Sequence, residues 1–228
     1  MTTTSKNIRT PATGSALRMA AAALFVSVFL AASAAAAGED PLADLKDRLN
    51  GMTPEEQITY LNKLIEDGVD DARIHFFKGN AWFVSEQYDS AIVEFDRAVK
   101  LDENYAKAWV NLGIVYDHTR KFPDARKAYS RALQINPDDV LAHCHLGFNY
   151  YSAGKHDKAM WHYDKALELD PGSAQAHYNL GLAFANAKIF KEALVEWNKV
   201  VELDPDGQLG KMAAENVELI KTYMELGN

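Results

Sequence analysis

One cysteine, Cys144, occurs in 228 residues, so no internal disulfide can staple the chain and its stability has to come from packing. Catalytic signatures are missing as well: there is no G-x-S-x-G, no H-E-x-x-H, no C-x-x-C and no phosphate-cradling glycine loop. Asp204-Pro205-Asp206-Gly207 begins like a calcium loop but lacks the ligand spacing and the closing glutamate, which makes it a turn. None of the seven histidines has another three or four residues away. His143 and His145, two apart, would point roughly 200° apart on a helix and cannot chelate one ion. Cys144 between them has no accompanying base or acid motif to make it a nucleophile. The expectation is a non-enzyme with no cofactor and no metal. A thiol- or metal-dependent activity around Cys144 is the alternative from another class.

Acidic residues are absent from the first 38 positions, which carry Lys6, Arg9 and Arg18. Met19 to Ala32 follows as an apolar core, and an alanine run ends at Ala35-Ala36-Ala37 before Gly38. A charged head, a core of this length and a small-x-small exit describe a secretory signal peptide over 1–37, cleaved after Ala37 or Ala35. An uncleaved membrane anchor and an organelle transit peptide are the other readings of the same residues. Arg18 before the core and Glu39-Asp40 after it send the rest of the chain outward, into a bacterial periplasm or another exported setting. Removing 1–37 leaves 21 basic against 32 acidic residues, a balance of −11. That charge repels nucleic acid and anionic lipid headgroups, so neither is an expected partner.

What the chain has in abundance is repetition. Gly79, Gly113, Gly147 and Gly181 recur at one fixed step, and so do Ala91, Ala125, Ala159 and Ala193. Trp82, Tyr116, Tyr150 and Phe184 keep the same step, as do Phe95, Tyr129, Tyr163 and Trp197. Pro137, Pro171 and Pro205 close three copies, with Glu103 in that slot of the first. Within a copy, Trp109, Leu112, Gly113 and Tyr116 form one helical stripe, and Ala125, Tyr129 and Ala132 form the stripe of a second helix. Small residues in both stripes allow the two backbones to come close, with aromatics beside them. Asn136-Pro137 ends the hairpin, because a residue before proline avoids the α region.

A step of about 34 residues with these glycines, alanines, aromatics and prolines resembles the tetratricopeptide repeat. The resemblance implies an all-α, right-handed α-solenoid of helix-turn-helix units over 72–105, 106–139, 140–173 and 174–207. Before it, 38–71 reads as a degenerate N-terminal cap. Leu42, Leu45 and Leu49 share a short helix, and Thr53-Pro54-Glu55-Glu56 is a capping box that starts a second. After it, 208–228 reads as a C-terminal capping helix, with Leu209, Met212, Ala213, Val217, Ile220 and Met224 on its packed face and Lys211, Glu215, Glu218 and Lys221 turned away.

In that family the first helices of successive repeats line a concave groove. Carried over position by position, the lining would be Phe76, Asn80 and Phe83, then Val110, Ile114 and Asp117, then Cys144, Phe148 and Tyr151, then Tyr178, Leu182 and Ala185. Asn111, His145 and Asn179 lie beside these and would bond a peptide backbone. Large apolar surfaces of this kind mark interaction sites, so the expected partner is another protein, offering a helix or an extended segment with apolar anchors. Packing of these residues against neighbouring repeats, or cover by the terminal helix, is the competing reading, and self-association of the chain is a third role. Family members that grip acidic chaperone tails use lysine and arginine on these helices. The matching positions here (Phe76, Asn80, Asn111, Leu141 and His145, or one repeat later Val110, Ile114, His145, Gln175 and Asn179) carry no such cation to pair with a carboxylate.

Overall fold

The computed structural model describes residues 40–226, so the expected signal segment lies outside the described residues. The described chain holds eleven helices and no strand. Two helices, α1 (Leu45–Leu49) and α2 (Pro54–Glu66), lead into four hairpins. These pair α3 (Ala72–Val84) with α4 (Tyr88–Leu101), α5 (Ala106–His118) with α6 (Phe122–Ile135), α7 (Val140–Ser152) with α8 (His156–Leu169), and α9 (Ala174–Asn186) with α10 (Phe190–Leu203). One longer helix, α11 (Gln208–Leu226), closes the stack. Among the described residues no helix is long and apolar enough to cross a membrane.

Every hairpin turns the same way. The N–H of Gln87, Lys121, Lys155 or Ile189 donates to the carbonyl five residues back, on Trp82, Tyr116, Tyr150 or Phe184, at 2.8–2.9 Å. Between them sits one left-handed residue: Glu86, Arg120, Gly154 or Lys188, with φ of 58°, 59°, 71° and 62°. This is the Schellman ending of a helix, in which glycine carries no Cβ penalty. Only the third repeat uses it. Asp71, Asp139 and Ser173 cap α3, α7 and α9 through their side chains, whereas α5 and the second helices α4, α6, α8 and α10 begin without a side-chain cap. Thr53 and Glu56 complete the capping box at the head of α2.

The repeated glycines are spaces for rings rather than meeting points of two backbones. A Cβ built on Gly79, Gly113, Gly147 or Gly181 would lie 2.7, 2.5, 2.6 or 2.5 Å from Phe95, Tyr129, Tyr163 or Trp197. Each aromatic of a second helix thus lies flat against the first helix of its own hairpin. The apolar core then runs on from repeat to repeat. Phe95, Ala98 and Val99 of α4 pack with Ala108, Leu112 and Val115 of α5. Ala125, Tyr129 and Ala132 of α6 pack with Ala142 and Leu146 of α7. At the N-terminal end, Leu42, Leu45, Leu49, Leu61 and Leu64 enclose Tyr60, whose hydroxyl accepts a 2.8 Å bond from Arg48.

The stack ends for a legible reason. One repeat step past Gly181 stands Glu215, so the notch for another aromatic is filled by an exposed carboxylate side chain. Gly210, Ala213, Val217 and Ile220 are buried against α10, while Lys211, Glu215 and Glu218 face out where a next second helix would pack.

Candidate functional site

First helices of neighbouring hairpins approach each other directly, α3 to α5, α5 to α7, α7 to α9 and α9 to α11, while second helices make no comparable approach among the described residues. The first helices therefore form the inner side of the curve. A single asparagine amide stitches each pair of them together. Asn111 donates to Asn80 at 2.7 Å, Asn149 to Asp117 at 2.6 Å, Asn179 to the Cys144 carbonyl at 3.4 Å, and Asn216 to the Tyr178 hydroxyl at 3.3 Å.

On this side α5, α7, α9 and α11 enclose a cleft of roughly 400 Å³. Its apolar lining is Ile114, Phe148, Tyr178, Leu182, Leu209 and Met212, and its polar lining is Asp117, His118, His145, Gln175 and Asn179. Phe148 is 37% exposed and Met212 38%, so both offer ring or chain to a ligand.

Asp117, Gln175 and Asn179 of the cleft already have hydrogen-bond partners. Asp117 accepts from the Tyr129 hydroxyl at 2.8 Å as well as from Asn149, and the Asn149 side-chain Oδ1 accepts from Arg126 at 2.7 Å. Burial holds the Asp117 carboxyl above its ordinary range, against the opposing pull of the Tyr129 and Asn149 bonds. His145 stacks on Tyr129 with ring centres 5.5 Å apart, and burial pushes its pKa down to about 4. It is a neutral, flat side chain at neutral pH. Gln175 donates to Asn179 at 3.1 Å. Among the described residues no lysine or arginine lines the cleft.

Six of the expected groove residues, Ile114, Asp117, His145, Phe148, Tyr178 and Leu182, come together here, with Asn179 forming part of the floor. The others are placed elsewhere. Val110 is 3% exposed and Cys144 1%, because each faces the next hairpin rather than solvent. Phe76 is half-buried against Phe77, Phe95 and Tyr105, and Phe83 against Tyr88 and His118. Tyr151 turns the opposite way, onto His156 and a separate pocket with Met160, Ala183 and Phe184. Asn80 and Asn111 are tied to each other, and Asn179 is buried, so these amides hold helices together rather than stand ready for a peptide backbone. Met212, expected on the packed face of α11, opens into the cleft instead. His118, Gln175, Leu209 and Met212 are the additions. Leu209, Met212 and Asn216 fall one repeat step after Gln175, Tyr178 and Leu182, so continuing the period past its last glycine marks α11 as a fifth groove helix.

Cys144 is a packing residue. Its sulfur lies 3.9 Å from the Ser173 hydroxyl, and burial pushes the thiol up to about 11, the reverse of what a nucleophile needs. Among the described residues no group of three His, Cys, Asp or Glu side chains is placed to hold a metal ion.

Family models match along this architecture. One described as TPR repeat matches residues 79–117 and 149–187, and two described as tetratricopeptide repeat match 106–139 and 174–206. Together they span just over half of the chain. No curated protein matches it. Solved structures do. A crystal structure of MamA superposes with a TM-score of 0.59 at 26% identity, covering 66% of this chain and 88% of that one. A crystal structure of YrrB, described as a TPR protein with an unusual peptide-binding site, superposes with a TM-score of 0.59 at 25% identity over 77% of this chain and 91% of that one. MamA of Desulfovibrio magneticus RS-1, from residue 41 to its end, shares the fold with a TM-score of 0.61 at 23% identity, covering 79% and 94%.

Proposed function

The chain belongs to the tetratricopeptide-repeat family, and from that membership we propose that it is an exported scaffold holding an apolar segment of a partner protein in the cleft between α5, α7, α9 and α11. Repeats of this family and its structural neighbours support a protein-interaction scaffold. The observation that carries the finer reading is the lining itself. Six apolar side chains from four helices converge over a floor in which Asp117, Gln175 and Asn179 already have hydrogen-bond partners. Among the described residues no lysine or arginine lines it to attract a carboxylate. Such a surface rewards apolar anchors and discourages acidic tails. The peptide-binding site named for YrrB is consistent with a segment lying along first helices.

The test uses residues on the two sides of the molecule. Phe148→Ala and Leu182→Ala should each weaken partner capture by about 2 kcal/mol while leaving the melting temperature nearly unchanged. Trp161→Ala, on the outer side and 59% exposed, should leave capture intact. Capture that survives both inner substitutions overturns the cleft reading. Export rests on Lys6, Arg9 and Arg18, the apolar core and the alanine exit. Sequencing the native protein from its N-terminus should find Gly38 or a near neighbour first, and an intact Met1 in the cytoplasm would remove this part of the proposal.

A second reading, association between copies, is favoured by Leu219, Tyr223 and Leu226 of α11, which are 70%, 60% and 84% exposed. Light scattering of the purified chain before and after Leu219→Lys distinguishes it, since a concentration-independent monomer in both would exclude it.

A further inference from the structure

The joint between the two helices follows one plan in the first, third and fourth hairpins. The fourth residue of the first helix is His75, Trp109, His143 or His177, and its ring reaches back to the turn before it. His143 Nε2 lies 2.9 Å from the Pro137 carbonyl, His177 Nε2 3.0 Å from the Pro171 carbonyl, and Trp109 Nε1 3.1 Å from the Glu103 carbonyl. His75 Nε2 uses the Asp70 carboxylate at 2.7 Å. The other ring nitrogen of each histidine meets the same position of the second helix. In the first and fourth repeats that residue is a carboxylate, Glu94 at 2.6 Å and Glu196 at 2.5 Å. In the third repeat it is His162, whose Nδ1 lies 2.9 Å from His143 Nδ1 in a buried contact.

This difference decides how many protons each joint can hold. His143 Nε2–H is committed to Pro137, so in the neutral pair His162 Nδ1–H donates and His143 Nδ1 accepts. One extra proton can be placed on the far nitrogen of His162 without breaking that bond. A second would have to sit on His143 Nδ1, setting N–H against N–H. The unfolded chain has no such limit and protonates both rings. A His–Glu joint works the other way, because protonating the imidazole strengthens its bond to the carboxylate. Among the described residues no third His, Cys, Asp or Glu side chain joins the pair to make a metal site.

We infer that the third repeat is an acid-sensitive latch, in which the buried His143–His162 bond holds α7 to α8 at neutral pH and gives way as pH falls, while the His–Glu joints of the first and fourth repeats stay closed. The surroundings deepen the effect. The turn presents Asp138 to the pair, α6 presents Ser130 and Gln134, and α8 presents Lys158 and Lys165. Lys155 and Lys158 also lie 6.0 and 5.4 Å from the centre of the neighbouring Tyr150 ring. Burial first, then His143 and Lys158, push His162 down to about 4. Its neutral form therefore contributes stability that is whole above about 6.5, the unfolded value, and drains away as pH falls toward about 4. His75 has the opposite sign. Burial works against its charge but the Glu94 and Asp70 bonds outweigh it, so its contribution is whole below about 6.5 and is lost only as pH rises through its higher folded value. A second weakness falls in the same repeat: the Tyr163 hydroxyl is buried without a hydrogen-bond partner among the described residues, where Tyr129 of the second repeat has Asp117. The latch stands apart from whatever fills the cleft, yet α7 carries His145 and Phe148 of its wall.

His145, on the same helix and also pushed down to about 4, is a separate acid-sensitive group, so the test removes it. In a His145→Asn chain (the residue that Asn111 and Asn179 supply at this place in the second and fourth repeats) amide hydrogen exchange is followed from about pH 7 to about pH 5 and corrected for the intrinsic rate. The opening constant of α7 and α8 should rise by at least about tenfold per pH unit once pH is well below about 6.5, the slope of one proton or more, while that of α9 and α10 stays level. Adding His162→Glu, the design of the other two joints, should flatten the response, and Glu196→His should transplant it to α9 and α10. An α7–α8 opening constant that is flat in pH, or equally steep with His162→Glu, overturns the latch. Should the variants fail to fold, the His162 imidazole resonance of the wild-type chain decides: a midpoint at or below about 6 supports the latch and one above it overturns it.

Discussion

The two helical layers of this molecule solve different packing problems. A second helix such as α8, HDKAMWHYDKALEL, is buried on one stripe, Ala159, His162, Tyr163 and Ala166, and leaves a charged back to solvent. A first helix such as α7, VLAHCHLGFNYYS, touches its own second helix, the second helix before it and a first helix on either side. It is apolar nearly all the way round, as a helix enclosed on most sides must be. The binding surface is the remainder, the narrow strip of the first layer that no neighbour covers. Cys144 and Phe148 stand one turn apart on α7, yet one is 1% exposed and the other 37%. Depth in this layer is decided by which neighbour stands opposite, and residue type carries little of it.

The contact between layers is the place to break this arrangement most severely. Gly113→Leu or Gly147→Leu would drive a side chain into Tyr129 or Tyr163, whose rings already lie 2.5 and 2.6 Å from the missing Cβ. A loss of about 3 kcal/mol or more is expected from overpacking, read as a fall in the urea midpoint, and it should spread because each repeat stabilises its neighbours. Asn149→Ala comes next. It strips Asp117 and Arg126 of a buried partner and should cost about 1–3 kcal/mol. Asn198→Ala on the exposed back of α10 should stay within about 0.5 kcal/mol in the same melts, and equal losses would erase the distinction between layers. Tyr151→Ala sharpens the boundary of the cleft. Packed against Ala183 and Phe184, it should lower stability by about 1–3 kcal/mol and leave partner capture unchanged, the reverse of Phe148→Ala. The smallest effect belongs to the turns. Gly154→Ala, at φ 71°, should cost about 1 kcal/mol, and Lys188→Gly, at φ 62°, should recover a fraction of that in thermal melts.

The same contrast explains what could be read from the residues alone. The repeat period carries the hairpins and the α11 cap, because each depends on residue types recurring at one place, whereas the glycines recur equally plainly without showing that each faces a ring and not a second backbone. Second helices are legible from their alternation of faces. First helices are not, since a helix apolar on every side has no periodicity to separate Val110 and Cys144, which face the next hairpin, from Ile114 and Phe148, which line the cleft. The asparagine stitches were equally silent: Asn111 and Asn179 sit beside the groove positions, and only the neighbouring helix shows where their amides go. The histidine pair had a signal of its own. Writing the repeats beneath one another sets His75 with Glu94, His177 with Glu196 and His143 with His162, all at one spacing.

The amide stitches give the molecule a mechanical character. Asn111, Asn149, Asn179 and Asn216 bind the stack along one edge, as a spine binds pages, while the second helices along the opposite edge have no comparable ties to each other among the described residues. Bending such a body is cheap in one sense and costly in the other. Fanning the outer edge wider leaves the stitches at their length, whereas flattening the inner edge stretches every one of them at once. Curvature is therefore a preset elastic constant of the array. A guest that fits the curve is met by a seat already shaped for it, and one that needs a flatter seat must stretch four springs joined in series.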